Sequence, residues 1–149
     1  MISEHISKDE ATFSPTALRL GISNEPNEDE LAAMRLVANV CFEPLRKWYG
    51  KPIKINSFFR SDALNKAVGG AIKNGVSVSQ HCKGEAIDMT AGSKEENKKL
   101  FDWCKANLIF DQLIEEADYS WVHISFRLGS NRNETLYMKY INGKSVYSK

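Results

Sequence analysis

Cysteine is scarce here: Cys41, Cys82 and Cys104 are the only three in 149 residues. Their number is odd and no two form a close pair, so the sequence offers no disulfide framework and reads as matured in a reducing compartment. Cys41 and Cys104 fall in helical stretches, as small core residues do. Cys82 adjoins His81, but sequence neighbours rarely point at one ion. No apolar run approaches the ~20 residues that cross a bilayer, so no membrane insertion is expected. The opening MISEHISKDEATFS is polar and acidic, unlike a signal peptide, and predicts synthesis in the cytosol. Charge of one sign is missing too. Twenty basic residues against nineteen acidic ones leave +1, which gives no net pull toward nucleic acid. Repeats, low-complexity segments and long Pro/Gly/Ser linkers are absent. What remains is an ordinary globular composition, 42% hydrophobic and 26% charged, long enough for a real core. One domain over 1–149 is expected, with its core over about 15–149, and a monomer by default.

Elements can be placed along that chain. The first 27 residues look irregular. Asn27 and Glu30 then form a capping-box pattern ahead of LAAMRLVANVCFEPLRKW, where Leu31, Met34, Val37, Ala38, Cys41 and Leu45 recur at helical spacing. Pro44 predicts a kink or a second short helix. IKINSFF reads as a strand, Ser61 or Asp62 can cap ALNKAV, and residues 71–80 read as a loop. EAIDMT is strand-like, and Ser93 with Glu96 opens KEENKKLFDWCKANL. FDQLIEE, WVHISF and a final hairpin through Asn142-Gly143 complete the pattern. The class is α+β, with the later strands placed for antiparallel pairing and the helices packed on a mostly antiparallel sheet.

Histidine is as rare as cysteine, with three in the chain, and SQHCKGEAIDMT sets one of them seven positions before an aspartate. Side chains alternate along a strand, so Trp121, His123 and Ser125 share one face of WVHISF while Val122, Ile124 and Phe126 face the core. By the same rule Asp88 lies with Ala86 and Thr90, opposite Ile87 and Met89. His81, Asp88 and His123 together offer two imidazoles and one carboxylate, a set that leaves a fourth zinc position open. Each alone has an ordinary explanation as a hydrogen-bonded structural residue, and spacing does not choose between the readings.

Longer stretches carry a resemblance. SQHCKGEAIDM resembles the S-x-H-x-x-G-x-A-x-D motif of the zinc D-alanyl-D-alanine peptidases, and WVHIS resembles their second histidine motif. NSFFRSDALNKAVGG is similar to the family's S-G-Y-R-S-x-x-L-N-x-x-V-G-G segment. RLGISNEP and FDQLIEE are similar to its small single-domain branch, found in phages and bacteria. The likeness covers about residues 15 to 127. It implies the fold shared with the Hedgehog signalling domain, zinc on His81, Asp88 and His123, and a substrate pocket lined by Ser79 and Arg60. It also implies hydrolysis of peptidoglycan stem peptides by a carboxypeptidase or endopeptidase, as in a phage endolysin acting at the cell wall after release or from a virion. Arg60 suits a substrate carboxylate or a developing oxyanion, because its planar fork gives paired hydrogen bonds. Gly84 would serve the turn between His81 and Asp88, Gln80 and Asn65 would brace loops, and Trp121 would wall the site or pack. His5 receives no role.

One position departs from the family. Zinc hydrolysis needs a group that takes a proton from the attacking water. Many members carry an acid three residues before the second histidine, where this chain has Ser120. The small branch instead resembles D-Q-L-I-x-E, which makes Glu116 the expected catalytic base. Asp118, in the following turn, is the alternative, and Glu115 should face the other way. Loss of the base would leave a non-catalytic binding or assembly module with a structural zinc.

Overall fold

The N-terminal segment, expected to be irregular and outside the core, is ordered by two serine caps. In the computed structural model, which describes residues 1–149, Ser7 caps α1 (Lys8–Thr12) and Ser14 caps α2 (Pro15–Leu20). Each hydroxyl accepts the N–H three residues on. Ile2, Ile6 and Ala11 are buried in the main hydrophobic cluster, so the core draws on residues well before 15. Helices this short carry too few turns to display a period, which hides them from pattern reading.

Asn27 and Glu30 form the predicted capping box on α3 (Glu28–Val37), and all six residues of the predicted apolar face are buried, Leu31 to Leu45. Pro44 has no N–H to return and its ring crowds the carbonyl four residues back. The chain answers with a widened π-helical turn, Ala38–Phe42, before α4 (Glu43–Tyr49). β1 (Lys54–Ser57) and α5 (Asp62–Ala67) follow. The expected loop at 71–80 contains a small hairpin, β2 (Ile72–Lys73) and β3 (Val76–Ser77). Its turn is Asn74-Gly75, with φ of 53° and 76°, the left-handed values of a tight hairpin. A 3-10 turn, Gln80–Lys83, leads into β4 (Ala86–Thr90). Ser93 caps α6 (Lys94–Asn107), although Glu96 turns its carboxylate to accept from Tyr49 Oη at 2.7 Å instead of closing the box.

β5 (Gln112–Glu116), β6 (Trp121–Ser125), β7 (Glu134–Ile141) and β8 (Lys144–Ser148) complete a six-stranded sheet of order β1-β4-β6-β5-β7-β8. The sheet is mixed, because β7 runs parallel to β5 and every other pairing is antiparallel. The sheet is thus mostly antiparallel, as expected, with β5–β7 the one parallel junction. An ion pair at the start of β5 fastens the junction. Asp111 is fully buried and accepts Arg132 Nη2 at 2.7 Å and Arg132 Nε at 3.1 Å. This pair carries the chain from β6 past the start of β5, where Asn133 N donates to Phe110 O at 2.9 Å. Ile87, Met89, Leu113, Val122 and Ile124 point from one sheet face into the core, against Met34, Phe42, Leu100 and Phe101 of the helices. The other face is left for chemistry.

β5 and β6 are joined by a turn in which Ala117, Asp118 and Tyr119 all have left-handed φ, 48°, 58° and 59°. Each such residue costs roughly 1–2 kcal/mol without glycine, so the turn needs restraint. Glu115, on the core face as alternation predicts, accepts Tyr119 N at 2.8 Å. Buried Asn97 donates to Tyr119 O at 2.8 Å and accepts Ala91 N at 2.7 Å. Asn97→Ala would strand these backbone groups, at about 1–3 kcal/mol for each one left unsatisfied. A clear fall in the urea midpoint is expected, and an unchanged midpoint would show that Asn97 does not hold the turn.

Candidate metal centre and catalytic cleft

Asp88 and His123 face each other directly across the β4–β6 pairing, one register step from Met89 and Val122. Their side chains share the sheet face turned away from the core, and His123 Nδ1 lies 2.8 Å from Asp88 Oδ1. His81 arrives from the 3-10 turn, which Ser79 caps by accepting His81 N at 3.2 Å. Gly84 ends that turn at φ 74°, and a Cβ there would come within 2.5 Å of the Glu30 carbonyl. Only glycine permits both the conformation and the approach of the turn to α3. His81 Nε2 thereby reaches 3.2 Å from Asp88 Oδ2. The two imidazole rings meet edge to face with centroids 5.3 Å apart.

Hydrogen bonding sets the chemistry of this cluster. His81 Nδ1 is 2.7 Å from the Phe58 carbonyl, which can only accept, so Nδ1 carries the proton. A neutral ring then presents the Nε2 lone pair to a carboxylate oxygen. That contact is favourable only with a cation between them, either a second proton on the ring or a metal ion. The donor atoms of His81, Asp88 and His123 all lie within 4.8 Å of one another. Two imidazoles and a carboxylate, with one imidazole oriented by a backbone carbonyl, are the donor set of an open zinc site. The residues fit the metal. Burial alone would raise the Asp88 pKa, but the contacts with His81 and His123 outweigh it and hold the carboxyl well below its ordinary range.

Around the cluster opens a cleft of about 530 Å³. Arg60, Ser79 and Trp121 line it, as does Glu116, while Asp118 and Ser120 do not. Arg60 Nη2 donates to Ser79 Oγ at 3.2 Å and Arg60 N donates to His81 O at 3.2 Å. Its Nε is buried without a partner, a donor still unspent. Glu116 is 7% exposed. Burial raises its carboxyl pKa to about 7, with Asp88 and Glu115 adding to the rise and His123 partly opposing it. A carboxyl poised there can both take and return a proton near neutrality. Asp118 is instead solvent-exposed and ion-paired with Lys94 at 3.1 Å, and Ser120 Oγ donates to Ala117 O within its own turn.

Asn65 is fully buried and donates to Ala71 O at 3.2 Å, and Gln80 donates to Glu85 at 3.2 Å, so both brace loops. Cys82 stands outside the cluster, and His5 pairs with Glu43 at 2.6 Å. Sequence reasoning missed the far wall of the cleft: Gln112, Arg132, Leu136, Met138, Tyr140, Ser145 and Tyr147. Alternation along TLYMKY marks Leu136, Met138 and Tyr140 as one face, but only the parallel β5–β7 pairing turns that face toward His123.

Residues 4–125 match the model of the peptidase M15 family. That span is most of the chain, which therefore belongs to this family of zinc D-Ala-D-Ala peptidases. The single α+β domain with its mixed, mostly antiparallel sheet agrees with the family's fold. No curated protein matches the chain.

The raised Glu116 pKa has a stability consequence in metal-free protein. Between the ordinary value of 4.5 and about 7, the unfolded chain releases this proton while the folded chain keeps it. The stabilisation is therefore complete below the ordinary value and is lost as pH rises through the folded one. Glu116→Gln removes the titration, so its stability relative to wild type should rise from acidic to mildly alkaline pH. Parallel urea-denaturation profiles for the two proteins across that window would contradict the assignment.

Proposed function

We propose that this peptidase M15 member is a zinc-dependent hydrolase of peptide bonds in peptidoglycan stem peptides, as a carboxypeptidase or an endopeptidase. The observation that carries the reading is the convergence of His81, Asp88 and His123 with near-neutral Glu116 in one cleft. His81, Asp88 and His123 would hold zinc, which when bound supplies Lewis acidity to a carbonyl and its attacking water. Glu116 takes a proton from that water as the new C–O bond forms. It returns the proton to the amide nitrogen as the C–N bond breaks, so the products are a carboxylic acid and an amine. Arg60, steadied by Ser79, donates to the oxyanion or to a substrate carboxylate. Access to the wall during lysis, or from a virion, suits the phage-type branch that the motifs resemble.

The non-catalytic alternative leans on Ser120, and an acid at position 116 lining the cleft weighs against it. Zinc content and wall-peptide hydrolysis, measured on one preparation with products identified by mass, test the proposal. About one zinc per chain and a defined cleavage abolished by a chelator are expected. One zinc and no cleavage would leave the binding-module reading. Asp88→Ala and His123→Ala should lose the metal. Glu116→Ala should keep it while turnover falls by about 10²–10⁴, and wild-type turnover in that variant would remove Glu116 as the base. Arg60→Ala should lower kcat/KM by about a hundredfold with zinc retained.

A further inference from the structure

The family match ends at residue 125, but the cleft does not. β7 docks on β5 and β8 folds back on β7, so the sheet continues beyond the matched residues. The pairings draw one row across the cleft face: Trp121 opposite Glu116, Glu116 opposite Met138, and Met138 opposite Tyr147. The next row holds Asp88, His123, Ile114 and Leu136. Residues paired in register point to the same side of a sheet. Tyr147 therefore stands on the face of the metal-ligating residues, two strands from Glu116, or about 10 Å between backbones.

Met138, between them, is only 2% exposed, whereas Tyr147 is 51% exposed and Tyr140 59%. The two rings thus flank an apolar floor and stay open to a ligand. Arg60 follows β1 at one edge of the sheet and Tyr147 sits on β8 at the other, so the two residues bracket the metal-ligating residues from opposite walls. Burial raises the Tyr147 pKa and the nearby Glu116 and Asp88 carboxylates raise it further, which keeps the phenol a donor.

We propose that Tyr147 and Tyr140 form a substrate subsite opposite Arg60, binding an uncharged aliphatic stretch of the peptide, with the Tyr147 hydroxyl donating to a peptide carbonyl. The subsite rests on the peptidase reading, and the C-terminal hairpin becomes the specificity-determining element of the cleft. Tyr147 touches substrate directly. Its ring contributes apolar contact and its hydroxyl one hydrogen bond, worth about 0.5–1.5 kcal/mol or up to roughly tenfold in affinity.

The test uses zinc-loaded full-length Glu116→Gln protein and the synthetic stem pentapeptide L-Ala-γ-D-Glu-L-Lys-D-Ala-D-Ala, with Kd read by calorimetry. Adding Tyr147→Phe should weaken binding about fivefold, and adding Tyr147→Ala should weaken it by more than tenfold. Val146→Ala, on the opposite face of β8, should leave Kd unchanged. In the Glu116-intact protein, Tyr147→Phe should raise KM with kcat nearly constant. Equal Kd values with Tyr147 intact, with Tyr147→Phe and with Tyr147→Ala would overturn the subsite while leaving hydrolysis, and the peptidase reading, intact. Graded Kd values in a wild type that cleaves no wall peptide would keep the subsite and remove the peptidase reading. No binding by any of the proteins would overturn the subsite, with the peptidase reading then standing or falling on wall-peptide hydrolysis by the wild type. Tyr147→Phe keeps the ring and its packing, so it decides the matter even where Tyr147→Ala disturbs the hairpin.

Discussion

The centre of this molecule depends on one cross-strand pair, Asp88 opposite His123 on neighbouring antiparallel strands. Because side chains alternate with a period of two, a slip of one residue in either strand would turn its ligand into the core. Ile87, Met89, Val122 and Ile124 prevent the slip. All four are fully buried, and moving them to the open face would expose roughly 1.5–3 kcal/mol of apolar side chain apiece. The register of the hydrophobic core and the geometry of the candidate metal ligands Asp88 and His123 are thus the same constraint seen from the two faces of one sheet.

His81 is held by different means. It sits on no strand, and its position comes from a capped 3-10 turn, a left-handed glycine pressed against α3, and a backbone carbonyl that fixes the ring's tautomer. The helix that Asn27 starts therefore has two duties, filling the core with its apolar face and backing the turn that presents His81. Glu116 is governed by a third kind of constraint. Its neighbour Glu115 faces the core and restrains the left-handed turn, which leaves Glu116 enclosed on the cleft side. Enclosure beside Asp88 is what lifts its carboxyl toward neutrality.

An ion pair on a buried carboxylate stands where the chain enters the far wall of the cleft. Asp111 binding Arg132, together with the Asn133 N–Phe110 O and Glu134 N–Asp111 O bonds, fastens the chain at the start of β5, from where β7 runs parallel beside it. That course sets the face carrying Leu136 and Met138, and on β8 Tyr147, on the same side of the sheet as His123. Asp111 is far from the reacting centre in role, yet the far wall is fastened there. Arg132 beside it holds the Asp111 carboxyl down at about 2, so the pair stays charged at any pH the enzyme would meet.

Whatever depends on near neighbours in the chain was legible in the sequence. Caps at Asn27, Ser61 and Ser93, the helical face from Leu31 to Leu45, and the alternation that turned Asp88 and His123 from the core are all local, and all are present. The motif around His81 belongs with them, since seven residues and a glycine suffice to bring it back toward Asp88. Features that join residues distant in sequence emerged only from packing. The short N-terminal helices gain their place from burial of Ile2 and Ile6, and the π-helical turn at Ala38–Phe42 from a proline inside a packed helix. The D-Q-L-I-x-E resemblance already favoured Glu116 over Asp118; what only packing supplied is the enclosure of Glu116 in the cleft and the exposure of Asp118. The parallel strand that completes the cleft, fastened where buried Asp111 meets Arg132, was not legible, because a strand's alternation fixes which residues share a face but not which neighbour that face will meet.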